Sequence, residues 1–317
     1  MNKKEKLILS VSPHITDPKD TTYLMRQVII AGIPALLWAI YIYGFKALAL
    51  SLICVSGCVF MEWITRKILG RSNTISDLSA VVTGMILSFL LPSGISGWIA
   101  LFGCFIAIVV VKQLFGGLGG NFANPAAVAG IVLLLSFPAE MTGWEVNERM
   151  CSAVIANSLT GASTPLELFT NAQTVPTNLQ MFFGLVSGPM GEISALALLL
   201  GAIWLIARNV IDPVAPCAYL FTVMLISLLS GYNPFFQIMA GGVLFGAIFM
   251  ASDPVTTPLT YPGKAIFGIG CGLFTMLMRR YATYPDSMLF AILLMNILTP
   301  HIDRITKQKA DKGGQTA

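Results

Sequence analysis

Apolar residues run along most of this chain in long blocks, and the polar residues gather in the intervals between them. A membrane-spanning helix needs about 20 apolar residues, or somewhat fewer where helices are short or broken. By that rule the blocks predict ten spans, at about 27–44, 47–65, 78–93, 97–114, 123–138, 190–208, 214–231, 234–251, 265–279 and 286–300. Residues 1–26 form a polar, basic segment, and 27–300 read as one membrane domain. A polar tail, 301–317, is expected to lack fixed structure. The first apolar block follows a polar stretch without a small-residue cleavage site, so no cleavable signal peptide is expected. The longest weakly hydrophobic interval, 139–189, separates the fifth span from the sixth.

Composition strengthens the membrane reading. The 317 residues are 56% hydrophobic and 11% charged, where soluble domains average about 25% charged. Mean hydropathy is +0.78. The net charge of +4 does not point to nucleic acid, because the basic residues sit at the ends of apolar blocks. They also set an orientation. With the N-terminus cytoplasmic, the inner segments hold fifteen of the nineteen Lys and Arg. The outer segments keep Lys46, Arg149, Arg279 and Arg280. Interval 139–189 is then outside and acidic, with Glu140, Glu145, Glu148 and Glu167 against Arg149. Both termini are expected in the cytoplasm. Ten spans with both ends on one side divide into five plus five, which lets the second half enter the membrane inverted. The expected fold is therefore an all-α polytopic membrane protein with a 5+5 inverted repeat, broken helices and a central site.

Four polar segments carry the candidate chemistry. Asp77 opens the third span, either as a helix cap or as a contact to an ion or flavin. Gly116 to Ala126 lies between the fourth and fifth spans and holds four glycines with Asn121 and Asn124. It reads as a tight re-entrant turn, or as free amides and carbonyls for a flavin ring, a phosphate or a cation. No Gly-Lys-Ser/Thr follows it, so it is not a P-loop. Asp253 stands beside a Pro-Val-Thr-Thr-Pro break with Thr256 and Thr257. A carboxylate there either caps the next helix or serves an ion or second-flavin site. Glu192 and Asp286 fall at outer span ends and are expected to be solvated. The fourth segment is Thr160-Gly161-Ala162-Ser163-Thr164-Pro165-Leu166, a small-residue turn with a free hydroxyl before proline. Cys54 and Cys58 are four apart on a helix, but no second pair or histidine accompanies them, and His14 and His301 lie outside the spans. No metal site is expected.

Thr160 to Leu166 resembles the flavin-attachment segment of the NqrB/RnfD family, (Ser/Thr)-x-Ala-Thr-Pro-Leu, with Gly161 and Ser163 as departures. The Asp77, glycine-rich and Asp253 segments, the Ser-Pro-His start at Ser12 and Tyr284-Pro285-Asp286 recur at the family's spacing, from about Ser10 to Asp303. The length is similar to that of the members from ion-translocating ferredoxin:NAD oxidoreductase (Rnf) complexes. Those of the sodium-pumping NADH:quinone reductase have longer tails. The resemblance implies FMN joined by a phosphoester to Thr164, with Gly161, Ala162, Ser163 and Pro165 around it and a second, non-covalent flavin such as riboflavin as an option. It implies an electron-transfer subunit coupled to Na⁺ or H⁺ movement in a bacterial or archaeal cell membrane. Partner subunits would supply the ferredoxin, NAD, further flavin and remaining membrane functions. No Rossmann fingerprint or cluster-binding cysteine motif is present, so this chain alone holds no complete active site. A flavin-free channel or transporter shares the broken-helix layout, and a cofactor-free scaffold is the third reading.

Overall fold

The computed structural model describes residues 20–144, 163–281 and 287–314, with side chains to Lys307. Its elements are all helical. Helix α1 (Thr21–Tyr43) starts at Asp20, whose side chain accepts the Tyr23 N–H, and ends at Gly44 (φ 67°). Helix α2 (Phe45–Ile68) returns alongside it. These two and the Met288–Lys307 stretch of the last helix are long and apolar enough to cross a membrane.

The remaining elements are shorter. Helix α3 (Ser79–Leu90) begins after Leu78, which has φ 61°. Helix α4 (Gly97–Phe105) runs on as a π-helix over Ile106–Gln113. Helix α5 (Pro125–Ser136) has Asn124 as N-cap and proline at its first turn, where a missing N–H is harmless. Three short helices follow: α6 (Pro138–Met141), α7 (Pro165–Thr170) and α8 (Asn178–Phe183). Then come α9 (Ala195–Ala207) and α10 (Val214–Leu229). Helix α11 (Pro234–Met239) leads to α12 (Val243–Phe245), which continues as a π-helix over Gly246–Met250. Helices α13 (Tyr261–Tyr281) and α14 (Met288–Gly314) close the chain.

Two expectations are corrected. Interval 234–251 is not one continuous helix: Ala240 is extended, and Gly241 and Gly242 have φ of 59° and 67°. That left-handed pair, which glycine adopts without a Cβ penalty, stops α11 and restarts the chain as α12. Residues 301–314 of the tail do not lack structure, because α14 continues to Gly314. Ile302 and Thr306 are buried, and Thr260 donates to Thr306 Oγ1 at 2.7 Å. The Leu259 N–H donates to Asp303 Oδ1 at 3.0 Å. Those contacts hold the first turns past Pro300 against the start of α13.

Helix α3 and helix α5 each have 12 residues, about 18 Å of helix. Neither crosses a hydrocarbon core of about 30 Å alone. Both are largely buried, so the irregular backbone at their ends is satisfied within protein. Helix α2 packs on α3 and α4, α10 on α13, α1 on α9, and α14 on α5, α13 and the second π-helix. Small residues set the closest crossings. A Cβ on Gly84 would lie 2.7 Å from Cys54 O. Cys54, Cys58 and Cys104 are buried on α2 and α4, and Cys104 Sγ donates to Cys54 O at 3.4 Å. Among the described residues no three His, Cys, Asp or Glu side chains are grouped to hold a metal ion.

Candidate functional site

Three of the four polar segments converge at one end of α3 and α5. A cavity of about 80 Å³ lies there, with Ser79, Lys112, Asn121, Asn124, Ser252 and Asp253 on its wall. Asn124 does two jobs. Its Oδ1 accepts the N–H groups of Ala126 and Ala127 at 3.1 and 3.2 Å, capping α5. Its Nδ2 donates to Asp253 Oδ2 at 3.4 Å. The Oδ1 of Asn121 is buried and has no hydrogen-bond partner.

Asp253 organises the break after the second π-helix. Its Oδ1 accepts the Val255 N–H at 3.2 Å and its Oδ2 the Thr256 hydroxyl at 3.3 Å. Its carbonyl accepts the Thr256 and Thr257 N–H groups and the Thr257 hydroxyl. Thr256 and Thr257 are buried, and Thr299 of α14 donates to Thr256 O at 3.0 Å. Asp253 therefore shapes a turn and also places a carboxylate in the cavity wall.

Asp77 bonds to the first residue of α3. Its Oδ1 accepts the Ser79 N–H at 2.8 Å and the Ser79 hydroxyl. It does not line the cavity; Ser79 does. Behind Ser79 is an ionic network that the polar segments did not reveal. Lys112 Nζ lies 2.9 Å from Glu62 Oε2 and donates to Ser79 Oγ. Gln113 Nε2 and Thr74 Oγ1 each donate to Glu62 Oε1 at 3.0 Å. Glu62 is 0% and Lys112 1% exposed. The π-helical turn, a form common at functional sites, carries both Lys112 and Gln113.

The fourth segment lies at the other end of α3 and α5. Thr164 is the N-cap of α7 and is 3% exposed. Its Oγ1 accepts the Glu167 N–H at 3.2 Å, while Glu167 Oε2 accepts the Thr164 N–H at 2.8 Å. This is a capping box. The indole N–H of Trp144 donates to Glu167 Oε1 at 3.3 Å. Pro165 and Leu166 are buried, and Leu166 joins Met181, Val186, Phe236 and Ala240 in a small apolar cluster that anchors α7. Ser163 is half-buried; Gly161 and Ala162 lie outside the described residues. A second cavity, about 330 Å³, adjoins the capping box, with Trp144, Glu167, Thr170, Asn171 and Glu192 on its wall. Glu192, expected to be solvated, is half-buried there because the turn before α9 folds back over α3: the Gly191 N–H donates to Phe89 O at 2.8 Å. Asp286 lies outside the described residues.

Leu90 and Leu134, at the far ends of α3 and α5, line this second cavity, whereas Ser79 and Pro125 line the first. The two cavities are thus separated by the length of α3. Sequence reasoning missed Glu62 and Lys112, which fall inside apolar blocks, and Trp144, which falls in interval 139–189, none with a motif to mark it. The Thr164-x-x-Glu167 spacing was readable as a capping box.

Comparison with known proteins places these features. The model of the NQR2, RnfD, RnfE family matches residues 8–312. The chain is 44% identical over 307 residues to the D-type subunit of the Na⁺-translocating ferredoxin:NAD⁺ oxidoreductase complex of Acetobacterium woodii, covering 96% of this chain and 94% of that one. It is 34% identical over 319 residues to the corresponding protein of the proton-translocating ferredoxin:NAD⁺ oxidoreductase complex of Clostridium ljungdahlii, covering 96% of each. It is 35% identical over 321 residues to that of the ion-translocating oxidoreductase complex of Stutzerimonas stutzeri, covering 90% of this chain and 91% of that one.

Proposed function

The chain belongs to the NQR2, RnfD, RnfE family, and on that premise we propose that it is a membrane subunit of an ion-translocating ferredoxin:NAD⁺ oxidoreductase complex. In this reading it carries FMN as a phosphoester on Thr164 and relays electrons between partner subunits while the complex moves Na⁺ or H⁺. The observation that carries the reading is the 44% identity over 96% of the chain. One relative is named for Na⁺ and another for protons, so both ions stay within the proposal.

The outer cavity supports the flavin assignment. Its volume of about 330 Å³ falls in the range of roughly 300–1,000 Å³ usual for organic ligands, and the Thr164 capping box stands at its edge. Thr164 would hold the phosphoryl group, and Glu167, Ser163 and Pro165 would fix the turn that presents it. The group supplies the redox chemistry; the chain supplies position and electrostatics. The inner cavity, about 80 Å³, has room for a few waters or a partly hydrated ion. Asp253, the unpartnered Asn121 Oδ1 and the paired threonines support an ion-path role there.

For topology we propose ten passes, both termini cytoplasmic, and two inverted halves of five. Supporting it, α2 with α4 corresponds to α10 with α13, and α3 with α5 to the second π-helix with α14. A left-handed residue, Leu78 or Gly242, precedes α3 and α12 alike. The direct test is the intact mass of the purified protein with fluorescence on a denaturing gel. A mass increment of one FMN and a fluorescent band are expected. A colourless protein of unmodified mass would favour the transporter or scaffold reading.

A further inference from the structure

We infer that the ring system of the flavin on Thr164 lies in the outer cavity against the indole of Trp144. The inference rests on the attachment reading above and goes beyond it by assigning the ring a place and an aromatic partner. A flavin esterified at Thr164 carries its isoalloxazine at the end of a flexible ribityl chain, so the ring goes where a neighbouring space and a flat apolar surface allow.

Two cavities flank α7. The larger contains Glu167, which is bonded to Thr164 in both directions. It also contains Trp144, half-buried, whose indole N–H is fixed by Glu167 Oε1. That bond ties the orientation of the indole to the same carboxylate that holds the Thr164 backbone, so attachment point and aromatic wall move as one unit. Stacked aromatic systems gain from offset face-to-face packing beyond the area they bury. The smaller cavity, about 260 Å³, is reached from Leu166, Phe169 and Thr170 and ends at Tyr232 and Arg280. None of the capping-box polar groups lines it. The larger cavity is therefore the better seat, and Trp144 is a positioning residue for the ring.

Indole stacked on a flavin quenches flavin fluorescence by electron transfer, which gives a readout independent of turnover. The complex is purified with this chain as wild type, Trp144→Leu, Trp144→Phe or Tyr232→Leu. Covalent flavin is measured by fluorescence on a denaturing gel, and native emission is divided by that content. Trp144→Leu should leave the denatured signal unchanged and raise native emission severalfold, with Trp144→Phe between it and wild type. If Trp144→Leu does not assemble, Trp144→Phe alone decides by the same ratio. An unchanged ratio at equal flavin content overturns the placement. So does a rise confined to Tyr232→Leu, which would put the ring in the smaller cavity. A wild-type band without fluorescence on the denaturing gel removes the attachment reading itself and is distinct from either result.

Discussion

Asn124 and Asp253, 129 positions apart, meet at the inner cavity, where the amide of the first donates to the carboxylate of the second at 3.4 Å. Each also shapes its own break: Asn124 caps α5, and Asp253 closes the turn after the second π-helix. The contact joins the interruption in one half of the chain to the interruption in the other. Irregular backbone at membrane depth must be satisfied within protein, and here two such stretches contribute to each other's hydrogen bonding.

The Glu62–Lys112 pair should behave as a buried ion pair. Removing one partner leaves the other charged in an apolar interior, at a cost of about 3–5 kcal/mol. Glu62→Gln or Lys112→Met should lower the thermal midpoint of the detergent-purified protein clearly. The double variant should regain part of the loss, because Lys112 no longer stands without its carboxylate, while Arg66, 3.7 Å from Glu62, still loses that partner. A double variant as unstable as the sum of the singles would show that the pair is not coupled.

Much of this architecture was legible in the apolar blocks, because every helix buried on several sides must be apolar. The breaks were less so. Gly241-Gly242 divides an apolar block that reads continuously, since a hydropathy pattern carries no information about φ. Lys112 reads as an inner flanking charge, yet it lies buried against Glu62; one-dimensional spacing does not reveal a partner 50 positions away. Asp253 and Asn124 were recognisable one by one from turn chemistry, while their contact depends on tertiary packing. At the outer site the threonine before proline stood out. Trp144 did not, because a single aromatic in a polar interval is unremarkable until Glu167 is seen beside it.

Thr164→Val should abolish covalent flavin, since it removes the only oxygen of that side chain. It also removes the cap on α7, worth about 1 kcal/mol, so Thr164→Ser is the matched control. Serine keeps both the cap and the hydroxyl and should retain the fluorescent band on a denaturing gel. A band persisting in Thr164→Val at full intensity would move the bond to Thr160 or Ser163, or end the attachment idea.

Asn171, exposed at the end of α7, reports sidedness. In a background lacking Cys151, Asn171→Cys should react with a membrane-impermeant thiol reagent in intact cells. Reaction only after lysis, repeated in a strain without the partner subunits, would overturn the proposed orientation.

Asp253→Asn separates the carboxylate's charge from its shape. Asn retains the acceptor oxygen for the Val255 N–H and caps about as well as Asp. If Asp253 only closes the turn, the variant should assemble, keep its covalent flavin and work normally. If the charge serves ion movement, the variant should keep flavin content and fold yet lose ferredoxin-dependent NAD⁺ reduction and the associated ²²Na⁺ or proton uptake in membrane vesicles. The second outcome is expected, because the carboxylate lines a cavity whose wall also holds the unpartnered Asn121 Oδ1, an arrangement a turn does not require. It also keeps company with Asn124, whose amide would face a neutral oxygen in the variant at little structural cost. Full activity with full ion uptake in Asp253→Asn would leave Asp253 as a turn former alone.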